Sequence, residues 1–274
     1  PGLAGPNAGI YEAVVKYITQ HEPRVFILEN VSGLTMRARG LIAPIYHVMK
    51  TLRNIPHYEV RGWDINAKDY GMPQNRKRVY IVGVHSQKVK LLRPLTEWGA
   101  EFKRLRVNCK GTEQRLTAAD FLLADDHDLV MDVEAYLETT HRAKRARRAA
   151  QVHSSGSSIK EAKAVAKKEG ISDAESTAYL SNRSGWSKYL SWRMKIILGM
   201  TAARIRRRLN APPETSCCIA DISQSVSRAA FVHTIDGTAP CVTPHGRFWA
   251  FGRRRWILPI EKLALQGFPC DSLD

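Results

Sequence analysis

The chain has 274 residues, enough for one large domain or two small ones, and its 44% hydrophobic content is sufficient to fill a core. Its 42 Lys and Arg against 26 Asp and Glu leave a net charge of +16, which favours a polyanionic partner, nucleic acid before an anionic membrane. No apolar run approaches the roughly 18 residues of a spanning helix, the first residues carry no secretory pattern, and five cysteines without a Cys-x-x-Cys pair argue against a zinc site or disulfide framework and fit a reducing compartment.

In chain order, Ile10, Val14, Tyr17 and Ile18 stand at helical spacing and predict a helix that Pro23 ends. Residues 24–28 (RVFIL) form a short apolar run, the pattern of a buried parallel strand, and lead directly into Glu29 and Asn30. Residues 41–52 read as a second helix, with Pro44 tolerable only in its first turn. Residues 57–65 alternate and read as a strand, 70–77 as a polar loop with Gly and Pro, and 78–84 as another strand. Strand, helix, strand with tight connections predicts an α/β layer fold.

The middle differs in kind. Residues 116–138 hold seven acids and no Lys or Arg, whereas 139–215 hold seventeen basic and five acidic residues, a net of +12. The densest runs are 141–150 (HRAKRARRAA) and 203–210 (ARIRRRLN). Residues 151–158 read as a loop or linker, and 139–185 read either as a solvated, partly disordered insertion or as an ordered phosphate-contacting region. Trp186, Tyr189, Leu190, Arg193 and Ile197 have helical spacing, a packing face before it is a stacking platform for bases. The last sixty residues return to strands and turns; Pro259 suits the first turn of a short helix and Gly267 its end.

Three stretches carry chemistry in combination: Glu29-Asn30-Val31 (ENV), residues 74–78 (QNRKR) and residues 255–269 (RWILPIEKLALQGFP). Alone, Glu29 reads as a strand-end cap, and Arg76 and Arg78 as a solvated basic strand start. In this order, with α/β elements between them, they make the chain resemble the DNA (cytosine-5) methyltransferases over residues 1–90 and 216–274. Residues 95–215 match no motif and fall where that family keeps its variable recognition region. The resemblance implies the C-terminal half of a Rossmann-like S-adenosylmethionine-dependent methyltransferase domain (1–92), an inserted, largely helical and basic target-recognition region (93–254), and a return segment to the catalytic domain (255–274).

It also implies a mechanism. A cysteine thiolate adds to cytosine C6, C5 then attacks the methyl group of S-adenosylmethionine, and charge building at N3 and O2 must be neutralised. Glu29 matches the carboxyl that serves N3, and Asn30 its neighbour that braces the catalytic loop. Arg76 and Arg78 match guanidinium donors near O2, the flanking phosphate and that loop. Gln74, Arg253, Arg254 and Arg255 are candidate DNA contacts around a duplex whose target base is flipped out. Glu261 reads as structural, an acid at a helix N-terminus.

The family's nucleophile lies in a Pro-Cys dipeptide ahead of the Glu-Asn-Val strand. Here Pro240-Cys241 lies far downstream of Glu29, in what resembles a strand of the recognition region, and Pro269-Cys270 follows the Gly-Phe-Pro turn. The expectation is therefore a fragment, with the Pro-Cys and cofactor loops upstream and the last cofactor segment beyond Asp274. No cofactor-binding or metal residue is assigned in this chain, and alone it is expected to be inactive. Leu258, Ile260 and Ala264 depart from the family's usual Thr, Arg and Arg. The alternatives are a non-catalytic, basic nucleic-acid-binding relic of the scaffold or a transfer-RNA cytosine-5 methyltransferase. The expected location is the nucleus in a eukaryote, helped by residues 144–148 (KRARR), otherwise the nucleoid or cytoplasm.

Overall fold

The computed structural model describes residues 8–37, 41–110, 116–148, 156–180, 185–225 and 233–270. Contacts divide the chain into two compact units, Pro1–Gly71 with Arg76–Arg115 and Met72–Asn75 with Leu116–Asp274. Both mix helix and strand, as the alternating patterns predicted.

The first unit runs α1 (Ala8–His21), β1 (Val25–Val31), a 3-10 turn (Ser32–Thr35), α2 (Pro44–Arg53), β2 (Tyr58–Asn66), a second 3-10 turn (Ala67–Tyr70), β3 (Lys77–His85) and α3 (Leu95–Lys110). Its three strands lie in the order β1-β3-β2, and both pairings are antiparallel. This corrects the expected buried parallel strand at 24–28. An apolar run states a preference for burial but does not name a neighbour. β3 folds back along β2 and continues beside β1, so β1 and β2 run the same way without touching. β1 is left at the edge, with Val25, Ile27 and Val31 exposed.

Alternation along the strands gives each face its own cover. Phe26, Leu28, Val60, Val79 and Ile81 pack against Ile18 of α1 and Val48 and Leu52 of α2. On the other face Val82, Val84 and Trp63 meet Leu95 and Trp98 of α3. Phe26 lies directly opposite Gly83, and its ring occupies the space a Cβ there would need. α2 begins at Pro44, later than the expected 41, because Ala43 is its N-cap and a proline lacks the N–H that the first turn leaves unpaired.

The second unit holds α4 (Asp128–Arg148), α5 (Gly156–Lys168), α6 (Asp173–Thr177), α7 (Trp192–Leu209), β4 (Ile219–Asp221), β5 (His233–Thr234), β6 (Phe248–Ala250), β7 (Arg255–Trp256) and α8 (Pro259–Ala264). The four short strands form an antiparallel sheet in the order β5-β4-β6-β7. α7 is the spine: Met194 to Ala203 and Ile205 are buried, so the helix is enclosed on all sides for most of its length. The Ser191 hydroxyl accepts from the Met194 N–H to start it, and Asn210 ends it at φ +53°. Gly199 lets α6 close in, since a Cβ there would lie 2.5 Å from the Ser176 carbonyl oxygen.

Within 139–185, the described residues form helices joined by turns, and Ala166 and Ile171 join the core around α7. The loop or linker expected at 151–158 is corrected at its end, where α5 already begins at Gly156; its residues 151–155, and residues 181–184, lie outside the described residues. Of the helically spaced stripe, Trp186, Leu190 and Ile197 are buried and form a packing face, whereas Tyr189 is half-buried and Arg193 exposed. α8 starts at Pro259, and Gly267 follows it at φ +88°. Among the described residues no helix is long and apolar enough to cross a membrane.

Candidate functional site

Glu29 sits within β1, and the β1–β3 register puts it opposite Tyr80 and puts Val31 opposite Arg78. Residues two apart share a face, so the carboxylate and the guanidinium meet diagonally across the pair. Glu29 Oε1 lies 2.7 Å from Arg78 Nε and 3.3 Å from Arg76 Nη2. Arg78 Nη1 also donates to the carbonyl of Lys77 at 2.8 Å, which fixes the plane of its fork. The Glu29 side chain remains 41% exposed and that of Arg78 15%. Ion pairs this exposed contribute only about 0–1 kcal/mol to stability, so the fold gains little from the cluster. Exposed Ile27 and Val31 flank Glu29 on the same face. The result is a carboxylate and two fixed guanidiniums on an open, otherwise apolar strip of sheet, able to offer a planar polar ring both donors and an acceptor.

Asn30 is also exposed, and its Oδ1 accepts from the N–H of Val31 at 2.8 Å. Gln74 is placed differently from the expected DNA contact. It belongs to the second unit and is 1% exposed, because residues 73–75 pair with Ala239, whose N–H donates to Pro73 O at 2.6 Å and whose carbonyl accepts from Asn75 N at 2.8 Å. Its Nε2 is buried without a hydrogen-bond partner.

Of the three candidate arginines, Arg254 is exposed with φ +52° and Arg253 is half-buried. Arg255 is no surface contact: it is 1% exposed, and its guanidinium is used internally. Nη1 and Nη2 donate to the two oxygens of Glu261 at 2.9 and 2.7 Å, Nε to Asp125 at 3.2 Å and Nη2 to Leu123 O at 2.9 Å. Burial opposes the Arg255 charge, but Glu261 and Asp125 outweigh it and raise its pKa. Glu261 is structural, as expected, yet does more than face a helix dipole, since it also accepts from the N–H groups of Leu123 and Leu258 at 2.8 and 2.6 Å. The basic run at the end of α7 is likewise divided. Arg204 forks onto Glu169 at 2.6 and 2.8 Å, and Arg207 bonds Gly170 O and Glu175, whereas Arg206 and Arg208 face solvent.

Cys218 is buried, which pushes its thiol pKa up, while Cys217 is exposed and Cys241 half-buried. Among the described residues no group of His, Cys, Asp and Glu could hold a metal ion. The turn that follows β1, Ser32–Thr35, holds the single glycine Gly33 and is not a glycine-rich loop that could cradle a nucleoside.

The family model of the C-5 cytosine-specific DNA methylases matches residues 2–272. The chain belongs to that family. Among curated methylases it is 34% identical over 85 residues to the type II methyltransferase M.HpaII of Haemophilus parainfluenzae, covering 31% of this chain and 23% of that protein. It is 29% identical over 119 residues to the orphan methyltransferase M.SPRI of Bacillus phage SPR, covering 43% and 25%. With the type II methyltransferase M.SsoII of Shigella sonnei it shares 35% identity over 90 residues, 32% and 23% of the two chains. The matched stretches thus span about a quarter of these methylases' length. A crystal structure of the S. pombe Dnmt2 methyltransferase aligns at 16% identity over 46% of this chain and 37% of that one, with a TM-score of 0.33, too low to carry an argument.

Proposed function

We propose that this chain supplies the base-recognising part of a DNA cytosine-C5 methyltransferase, in which a cytosine swung out of the duplex rests against Glu29, Arg76 and Arg78. The observation that carries the reading is the exposed carboxylate bridged by two guanidiniums on one strip of sheet. When a nucleophile adds to C6, charge collects at N3 and O2. A carboxyl sharing a proton with N3 and a guanidinium donating to O2 stabilise that charge where it develops. Arg78, the less exposed and more firmly held of the two, is assigned to O2, and Arg76 to the flanking phosphate.

Family membership supports the reaction class, in which S-adenosylmethionine supplies an electrophilic methyl group when bound. In this reading residues 1–92 are the second half of the Rossmann-like catalytic domain, α4 to α7 belong to the inserted recognition region, and α8 lies in the return segment 255–274. The chain's first cysteine is Cys109, so no cysteine precedes Glu29 as the family's nucleophile would. We therefore assign this chain, by itself, base recognition without methyl transfer.

The test is equilibrium binding to a duplex carrying one unpaired cytosine, compared with the same duplex carrying an unpaired thymine. Thymine presents an N–H at position 3 and a carbonyl at position 4, so the wild type should prefer cytosine by about tenfold, within the range of one good polar base contact. Glu29→Ala should abolish that preference by weakening binding to the unpaired-cytosine duplex about tenfold, while leaving affinity for a fully paired duplex within about twofold. Equal preference in wild type and variant would sink the assignment. Incorporation of labelled methyl groups by this chain alone would sink the claim of inactivity.

A further inference from the structure

The second unit contains a cavity that the base-contact reading does not use. Its volume is about 320 Å³, and it is lined by His141 of α4, Tyr189, Arg247, Trp256 at the end of β7, and Lys262 of α8. The rings of His141 and Tyr189 meet edge to face at 5.6 Å, and Tyr189 and Trp256 are tilted at 6.4 Å, so three aromatic side chains form one corner. The other side is cationic. Lys262 Nζ donates to Gly246 O at 2.7 Å, and the exposed Arg247 precedes β6.

Among the described residues, two cations, Arg247 and Lys262, line this cavity and no carboxylate does. Burial lowers the Lys262 pKa, Asp221 opposes that shift and Arg247 adds to it. Asp221 is already committed to the Ser223 N–H and hydroxyl and to Gln224 Nε2. Asp221 keeps its charge but is not part of the lining, so the two cations that face the cavity favour an anion there, and the aromatic corner favours a flat ring beside it.

We propose that this cavity binds a nucleotide, free or within a strand, its base stacked in the corner of Tyr189 and Trp256 and its phosphate held by Arg247 and Lys262. The proposal does not rest on Glu29, and the probe below contains no cytosine.

The experiment uses the whole chain and a single-stranded adenine hexanucleotide with a central 2-aminopurine, read by anisotropy and by 2-aminopurine fluorescence. Stacking should quench the fluorescence. Arg247→Glu should weaken binding about tenfold, whereas Lys167→Glu, an equal charge change at an exposed position of α5, should weaken it less than about threefold. Tyr189→Leu should lose about fivefold in affinity and most of the quench, with an unchanged circular dichroism spectrum confirming the fold. Competition by adenosine monophosphate at concentrations where inorganic phosphate does not compete would confirm the base-plus-phosphate chemistry and identify a free nucleotide as the source. Equal effects of the two charge reversals, or equal affinity for a hexamer abasic at every position, would overturn the proposal.

Discussion

Arg255 and Glu261 are each 1% exposed, and together they account for four of the hydrogen bonds that join residue 123, residue 258 and β7. Glu261→Ala strands a buried guanidinium and removes the acceptor for the N–H groups of Leu123 and Leu258. Breaking a buried pair by removing one partner costs about 3–5 kcal/mol. Against a total stability of roughly 5–15 kcal/mol, that places the second unit near its unfolding threshold. Arg255→Met with Glu261→Gln should recover much of the loss, because the amide oxygen can still accept from a backbone N–H and its NH2 can donate to Leu123 O, the former partner of Arg255. A coupling energy of about 2 kcal/mol or more between the two sites is the expected signature. The assay is urea unfolding followed by tryptophan fluorescence, with Trp186, Trp192, Trp249 and Trp256 all in this unit. If Arg255 were instead a DNA contact, Arg255→Ala would cut DNA affinity and shift the urea midpoint little; that pattern would refute the buried-pair account.

Gly199→Ala should destabilise the same transition by about 1–2 kcal/mol, because overpacking against the Ser176 carbonyl outweighs the helix-propensity gain of about 1 kcal/mol, whereas Gly9→Ala, with nothing within 4 Å of its added Cβ, should be neutral to stabilising. Bonds from the Ser172 N–H and hydroxyl lower the Glu175 pKa. A depressed carboxyl contributes stability above its unfolded value, near 4.3, and loses it as pH falls through the folded value; wild type should therefore lose more urea resistance between pH 6 and pH 3 than Glu175→Gln. For duplex DNA, replacing Arg206 and Arg208 by Gln should flatten the salt dependence of binding by about two units of slope, while Arg204→Gln, which breaks the fork onto Glu169, should lower stability and leave the slope alone.

The local elements were legible where the cause was local. Pro44, Pro259 and Gly267 mark helix ends because they restrict or free a backbone dihedral at that very position. The apolar alternation of 57–65 and 78–84 reported strands for the same reason. Long-range pairing was not legible. Nothing in 24–28 reveals that its partner is 77–85, running antiparallel, or that its second face is left open. The association of Glu29 with Arg76 and Arg78 could be anticipated from motif order, but its geometry depends on a register set 47 residues away. The basic run 253–255 looked like uniform surface. Burial of Arg255 needed Glu261, six residues on, and Asp125, 130 residues back, and only the first of these leaves a trace in the local sequence. The cavity of Tyr189, Arg247 and Lys262 joins residues from four separate stretches and left no motif at all.

The most direct test of the central claim watches both partners of the proposed contact at once. The chain, carrying 13C-carboxyl glutamate assigned through Glu29→Ala, is titrated with a duplex whose one unpaired cytosine bears 15N at N3. The account predicts that the Glu29 carboxyl carbon and the cytosine N3 shift together, with one common affinity, and that the N3 shift disappears in the variant. An N3 resonance that does not move, or that moves identically in Glu29→Ala, would contradict it.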